Sequence, residues 1–62
     1  MTIGSNIKRL RRERDITQEQ LADFLHLTPS AISQWETDRV LPDIQYLPKL
    51  AHLFKVSSDE IL

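Results

Sequence analysis

The chain has 62 residues, which corresponds to one small domain and leaves no room for a catalytic domain beside it. It contains no cysteine, so a disulfide framework and a thiolate metal site are both excluded, and a helical apolar core must stabilise the fold. The net charge is −1, and no segment has the apolar run of a signal peptide or of a membrane span, so we expect a cytoplasmic protein.

The charge is unevenly distributed along the chain. Residues 1–14 hold five basic residues against Glu13, a balance of +4, whereas the remaining 48 residues hold three basic residues against eight acidic ones, a balance of −5. A basic segment of this kind is typical of nucleic-acid-binding domains. A basic helix face that contacts only solvent produces the same pattern.

A first helix is expected near the N-terminus. Thr2 or Ser5 can cap it, because a hydroxyl oxygen accepts a hydrogen bond from a free backbone amide of the first turn. Ile7, Leu10 and the aliphatic part of Arg14 recur at helical spacing and are expected to face the core.

Residues 17–36 contain two short helical patterns separated by a turn. Thr17 and Gln20 have the capping-box spacing Thr-x-x-Gln, so a second helix is expected from Gln18 to about Leu25. This arrangement is typical of a helix-turn-helix motif.

The third helix follows a turn at His26 and Leu27. Thr28 is expected to cap it, and Pro29 suits its first position, where a missing N–H does no harm. The helix is expected to end near Glu36 or Thr37.

The third helix is amphipathic. Ile32 and Trp35 form its apolar stripe, and Trp35 is expected in the core and not as a base-stacking platform. The opposite face carries Ser30, Ser33 and Gln34, whose hydroxyl and amide groups can reach base edges in a DNA major groove. DNA binding is therefore the leading functional hypothesis.

The C-terminal part is expected to hold two more helices. Asp43 is the expected cap of the fourth, but Pro48 would break a helix that began at Ile44, so we predict a loose turn over residues 44–46 and a helix from about Pro48 to Phe54. A second capping box, Ser57-Ser58-Asp59-Glu60, is expected to open a fifth helix. Only Ile61 and Leu62 remain to be buried by this helix, too few to stabilise it, so we expect the natural chain to continue beyond Leu62.

The chain resembles a lambda-repressor-like helix-turn-helix domain of the Cro and xenobiotic-response-element (XRE) class. The matching residues are Ile3-Gly4, Asn6-Ile7-Lys8, Leu10-Arg11, Thr17-Gln18-Glu19, Leu21-Ala22, Ile32-Ser33, Trp35-Glu36, Pro42-Asp43, Leu47, Leu50-Ala51, Phe54, Val56-Ser57, Asp59 and Leu62. The resemblance implies one all-α domain over residues 1–62, built as a compact five-helix bundle. It also implies a homodimer on a palindromic operator in double-stranded DNA, and transcriptional regulation, with repression as the expected role.

The resemblance also implies a set of DNA-binding residues. Gln18 would bind a phosphate, Gln34 would be the strongest candidate for base readout through adenine N6 and N7, and Arg39 would bind a phosphate beyond the third helix. The recognition helix would run from about Pro29 to Glu36 in the major groove. The complete implied set is Thr17, Gln18, Thr28, Pro29, Ser30, Ser33, Gln34, Thr37 and Arg39.

The same resemblance implies a structural salt bridge between Arg11 and Glu36, which would join the first helix to the end of the third; two unrelated surface charges are the alternative. The chain departs from the family at Asp38, where glycine is usual because the site needs a positive φ. It also has Pro29 and Ser30 where longer polar side chains are common, so DNA shape is expected to contribute to recognition.

No catalytic, cofactor or metal site is expected, because His26 and His52 are far apart and lack partners at ligand spacing. The net acidity of residues 15–62 leaves a competing hypothesis, an antitoxin or adaptor module whose main partner is a protein. A dimerisation unit of a larger regulator with a C-terminal effector domain is a third possibility.

Overall fold

The chain folds into five α-helices joined by short connections. A computed structural model describes all 62 residues and contains no strand. The helices are α1 (Ile3–Glu13), α2 (Gln18–Leu25), α3 (Pro29–Glu36), α4 (Tyr46–Phe54) and α5 (Ser58–Ile61). The predicted all-α, five-helix architecture is confirmed. None of the helices combines the length and apolar character needed to span a bilayer.

Threonine hydroxyls cap the first three helices. Thr2 and Ser5 both take part at α1, since each side chain accepts a hydrogen bond from the other residue's amide, at 3.0 and 2.9 Å. Thr17 and Gln20 form the same reciprocal pair at α2, as predicted. Thr28 caps α3 by accepting from the amide three residues later, at 3.2 Å. These local hydrogen bonds fix where the helix-turn-helix begins and turns.

All five helices contribute residues to the apolar core. α1 and α2 both pack on α3, and α5 packs on α1 and α4. Trp35 lies in this core at 5% exposure, as predicted, and its ring packs against Tyr46 with 5.3 Å between centroids. The buried apolar residues are Ile7, Leu10, Leu21, Ala22, Leu25, Ile32, Trp35, Leu50, Phe54 and Ile61.

The start of α1 lies unusually close to the end of α3, and Gly4 makes this possible. A Cβ at Gly4 would overlap the Trp35 carbonyl oxygen and come within 2.6 Å of Asp38 Oδ1. Glycine at this position therefore allows α1 to approach α3 more closely than any other residue would.

The predicted start of α4 was wrong by two residues. The helix begins at Tyr46, so Pro48 occupies its third position, where the N–H has no intrahelical partner and proline costs no hydrogen bond. Asp43 does not cap the helix. Its Oδ1 accepts from the Gln45 amide at 3.0 Å, which closes a turn before the helix, and the N-cap residue Gln45 makes no side-chain cap.

The predicted capping box of α5 was also wrong. Ser57 lies at the N-cap, but its side chain makes no capping hydrogen bond. The helix is stabilised by long-range contacts instead, because Ile61 is fully buried and Asn6 Nδ2 donates to the Ile61 carbonyl at 3.0 Å. Leu62 remains more than half exposed.

Candidate nucleic-acid interface

α3 is buried along one side and open along the other. Its apolar side packs on α1 and α2 through Ile32 and Trp35. The predicted base-facing residues lie on the remaining surface: Pro29, Ser30 and Gln34 are exposed, and Ser33 is half-buried. The open side is therefore polar, uncharged and made of short side chains except at Gln34.

The two threonines at the ends of α3 use their hydroxyls differently. Thr28 Oγ1 accepts a helix amide, so its own O–H remains available as a donor to a phosphate or base. Thr37 Oγ1 donates to the Ser33 carbonyl at 2.9 Å. A contact from the Thr37 hydroxyl to a phosphate, which only accepts hydrogen bonds, would require that hydroxyl to rotate away from Ser33.

Gln18 lies where the N-terminus of α2 meets the C-terminal end of α3. Its Nε2 donates to Glu36 Oε1 at 3.0 Å, which orients the amide and leaves a second N–H on the same nitrogen. The first backbone amides of α2 have no partner inside the helix, and the helix dipole makes this end positive. Together with the exposed N-cap Thr17, this end of α2 can accommodate an anion.

Glu36 is the acceptor of a buried network that joins α1, α2 and α3. Arg11 donates to its two carboxylate oxygens from Nε at 2.6 Å and Nη2 at 3.0 Å, and Gln18 supplies a third hydrogen bond. Arg11 Nη1 also donates to the Ile16 carbonyl at 2.8 Å. The two charged side chains are 11% and 2% exposed, so this pair is largely removed from water.

The loop after α3 begins with Asp38 in the left-handed region, at φ 62°. The sequence-based prediction of a positive φ here is thus confirmed. Asp38 Oδ2 accepts from Thr2 Oγ1 at 2.9 Å, so the aspartate gains a contact with α1 that glycine could not make. Arg39 follows with an exposed side chain that makes no ion pair, while its amide donates to the Gln34 carbonyl at 2.9 Å.

Arg14 has a role that the sequence did not indicate. Its Nε donates to the Phe54 carbonyl at 2.8 Å and its Nη1 to the Leu10 carbonyl at 3.0 Å. The guanidinium carbon also lies 5.6 Å from the centre of the Phe54 ring. Arg14 therefore fastens the end of α4 to α1. No local spacing predicts this contact, because Phe54 is 40 residues away in the chain.

The remaining ionisable groups do not assemble into a metal site. His26 follows α2 and His52 lies in α4, and both are exposed. No group of three or more His, Cys, Asp or Glu side chains is close enough to hold a metal ion.

Comparison with known proteins places this geometry in a family. A profile described as "Helix-turn-helix" matches residues 7–61. The chain belongs to this helix-turn-helix family. Among curated relatives, the HTH-type transcriptional activator BcrR of Enterococcus faecalis is 36% identical over 62 residues, which are 100% of this chain and 30% of that protein. The immunity repressor of Bacillus phage phi105 is 41% identical over 51 residues, 82% of this chain and 35% of the relative. The helix-turn-helix chain thus spans about a third of the length of each of these relatives.

Among solved structures, this helix-turn-helix domain is similar to the P22 c2 repressor, crystallised in complex with synthetic operator 9T. The TM-score is 0.90 at 29% identity, over 100% of this chain and 94% of that chain. The similarity confirms the lambda-repressor-like fold that the sequence predicted.

Proposed function

We propose that this domain binds double-stranded DNA sequence-specifically within a transcriptional regulator, and that it acts as a repressor. The open polar side of α3 carries the proposal. An α-helix fits a DNA major groove, and α3 has one side fixed in the core while the other offers Ser30, Ser33 and Gln34 to solvent. Family membership and the similarity to a repressor solved with its operator support the same assignment.

Base readout is assigned mainly to Gln34. Its exposed amide can donate to adenine N7 or accept from adenine N6, and both bonds together discriminate adenine from the other bases. Ser30 and Ser33 reach less far, and Pro29 has no donor at all. Direct readout from α3 is therefore sparse, and sequence-dependent DNA shape supplies part of the selectivity.

Phosphate binding is assigned to both ends of the motif. Gln18 offers its second amide N–H and the positive end of α2, with Thr17 beside it. Thr28 contributes its free hydroxyl hydrogen, and Arg39 its unpaired guanidinium; Thr37 contributes after its hydroxyl rotates. These phosphate contacts would fix the position of α3 along the DNA duplex, and they do not distinguish one base sequence from another.

A homodimer on a palindromic site completes the proposal. An apolar groove of about 430 Å³ lies along α4 and α5, and two of its lining residues are largely exposed, Ile44 at 78% and Leu62 at 58%. Covering this groove with a second copy would remove both side chains from water. The two relatives described above come from Enterococcus faecalis and from a Bacillus phage, and on that basis we place the protein in the cytoplasm.

The proposal is tested by selecting bound duplexes from a randomised library with the purified chain at moderate salt, followed by sequencing. We expect a palindrome whose half-sites are about 34 Å apart, one helical turn. A promoter carrying the selected site should then be silenced by the protein in a reporter strain. Absence of any enriched sequence would overturn specific DNA binding, and promoter activation would overturn the repressor role.

A further inference from the structure

α1 carries a groove whose basic side chains make none of the contacts described above. Its volume is about 510 Å³, and no apolar side chain lines it. We call it the α1 groove; its lining residues are Ser5, Lys8, Arg9, Arg12, Glu13 and Glu36.

The α1 groove has an excess of positive charge. Lys8, Arg9 and Arg12 contribute three cations, Glu13 one anion, and the charge of Glu36 is offset by its bond to Arg11, which leaves an excess of two positive charges. Arg9 Nη1 forms an ion pair with Glu13 Oε2 at 3.4 Å, so the charge of Arg9 is partly neutralised. Lys8 and Arg12 are exposed and make no ion pair, so they are the two free cations of the groove.

The α1 groove continues toward the proposed phosphate site at the start of α2. Arg12 also lines a second, smaller depression of about 300 Å³, which runs past Asp15 to Thr17, the N-cap of α2. Glu36 connects the other side of the groove to the end of α3. The free cations therefore lie next to the helix-turn-helix and not on a remote face of the domain.

The lining chemistry fits a phosphodiester backbone. No aromatic or hydrophobic residue lines the groove, so its charged and polar side chains favour an anionic ligand. Arg12 presents a planar fork suited to phosphate oxygens, and Lys8 presents a point charge one helical turn away, about 5 to 6 Å between Cβ atoms. Two cations in that spacing match a polyanion better than a single small anion.

We propose that Lys8 and Arg12 bind phosphates of the same duplex that α3 reads, beyond those held at the start of α2. This inference rests on the proposed function. It adds to that function a contact made by α1, outside the helix-turn-helix motif. Because phosphate contacts are independent of sequence, the two residues contribute affinity and salt dependence and no base preference.

The test is the salt dependence of binding to the selected duplex and to a scrambled duplex, measured by fluorescence anisotropy. Lys8→Ala and Arg12→Ala should each reduce the slope of log affinity against log salt by about one, on both duplexes alike. Lys55→Ala removes an exposed cation at the end of α4 and should leave the slope unchanged. Circular dichroism spectra that match the wild type establish that the variants remain folded.

Each alternative result has a separate meaning. If the wild type binds neither duplex, the proposed function is wrong and this inference is wrong with it. If the wild type binds but the Lys8 and Arg12 variants keep its slope, only the α1 inference is overturned. Loss of affinity for the selected duplex alone would show base contact and would also contradict it. Unchanged slopes together with binding of polyglutamate that requires Lys8 would assign the groove to an acidic protein surface instead.

Discussion

At the scale of single residues, Glu36 is the one charged residue that is buried. Its carboxylate is nearly inaccessible to water and accepts hydrogen bonds from Arg11 and Gln18. A buried ion pair is tolerated only while its hydrogen bonds compensate the desolvation of both charges. Glu36 therefore makes the position of Gln18 depend on the same contact that fastens α1 to α3.

Replacing Glu36 by alanine should cost about 3 to 5 kcal/mol of unfolding free energy, because it leaves the Arg11 guanidinium buried without its partner. Urea denaturation followed by circular dichroism measures the loss. The matched control is Glu13→Ala, which removes two partly exposed ion pairs, to Arg9 at 3.4 Å and to Arg14 at 3.5 Å, each expected to be worth less than about 1 kcal/mol. Equal losses for the two variants would contradict the structural role of the buried pair.

Gly4→Ala should also destabilise the domain, although alanine is the better helix former. The added methyl group overlaps the Trp35 carbonyl, so α1 must move away from α3 at an overpacking cost of about 1 to 3 kcal/mol. Thermal unfolding measures the change, with Lys8→Ala as an exposed control in the same helix. A Gly4→Ala variant as stable as the wild type would show that α1 and α3 can separate without cost.

At the scale of the helices, the left-handed position that follows a helix end is occupied in this chain by residues other than glycine. Four non-glycine residues have a positive φ between 55° and 62°: Asp15, His26, Asp38 and Lys55. The left-handed conformation costs an L-residue roughly 1 to 2 kcal/mol. Asp38 offsets part of this cost through Thr2, whereas the side chain of Lys55 makes no hydrogen bond or ion pair.

Lys55→Gly should therefore raise the free energy of unfolding by about 0.5 to 1 kcal/mol, after the greater flexibility of glycine in the unfolded chain is counted. In a domain of this size, 1 kcal/mol corresponds to a rise in Tm of roughly 4 to 8 °C. Lys55→Ala removes the same side chain but keeps Cβ, and should give little change. If the two variants have the same Tm, the strain at this helix end is not significant.

The helices also show which capping patterns in the sequence predict a cap in the structure. The capping patterns of Thr17 and Thr28 form as predicted because they use only residues of the same turn. Asp43 and Ser57 have equally suitable side chains, but Asp43 closes a turn before α4, whose N-cap is Gln45, and α5 is positioned by Asn6 and Ile61 instead. A capping motif shows what a side chain can do, and tertiary contacts determine whether it does so.

At the scale of the whole molecule, the sequence predicted the order of helices and the open face of α3, because both follow from helical periodicity. Apart from the Arg11–Glu36 pair, which the family resemblance implied, it did not predict contacts between distant residues, such as Arg14 with the end of α4, or the way the cations of α1 line one groove. Those depend on how the helices pack. The roles of the predicted DNA-binding residues remain predictions.

The proposed dimer gives a prediction at this scale. Ile44→Asp places a carboxylate in the apolar groove, and in a symmetric dimer two such charges would lie at one interface. We expect at least about tenfold weaker binding to a palindrome, with unchanged binding to an isolated half-site. Gln45→Asp adds the same charge at the next residue, outside the groove lining, and is the control. Equal effects on palindrome and half-site would exclude this groove as the dimer interface.

The central claim, that the open side of α3 reads bases, is tested most directly by measuring the preference for each base at every position of the selected site. Gln34→Ala should relax the preference at one position per half-site by about 1 to 3 kcal/mol and leave the other positions and the fold unchanged. Base preferences identical to those of the wild type at every position would contradict the assignment of readout to this face.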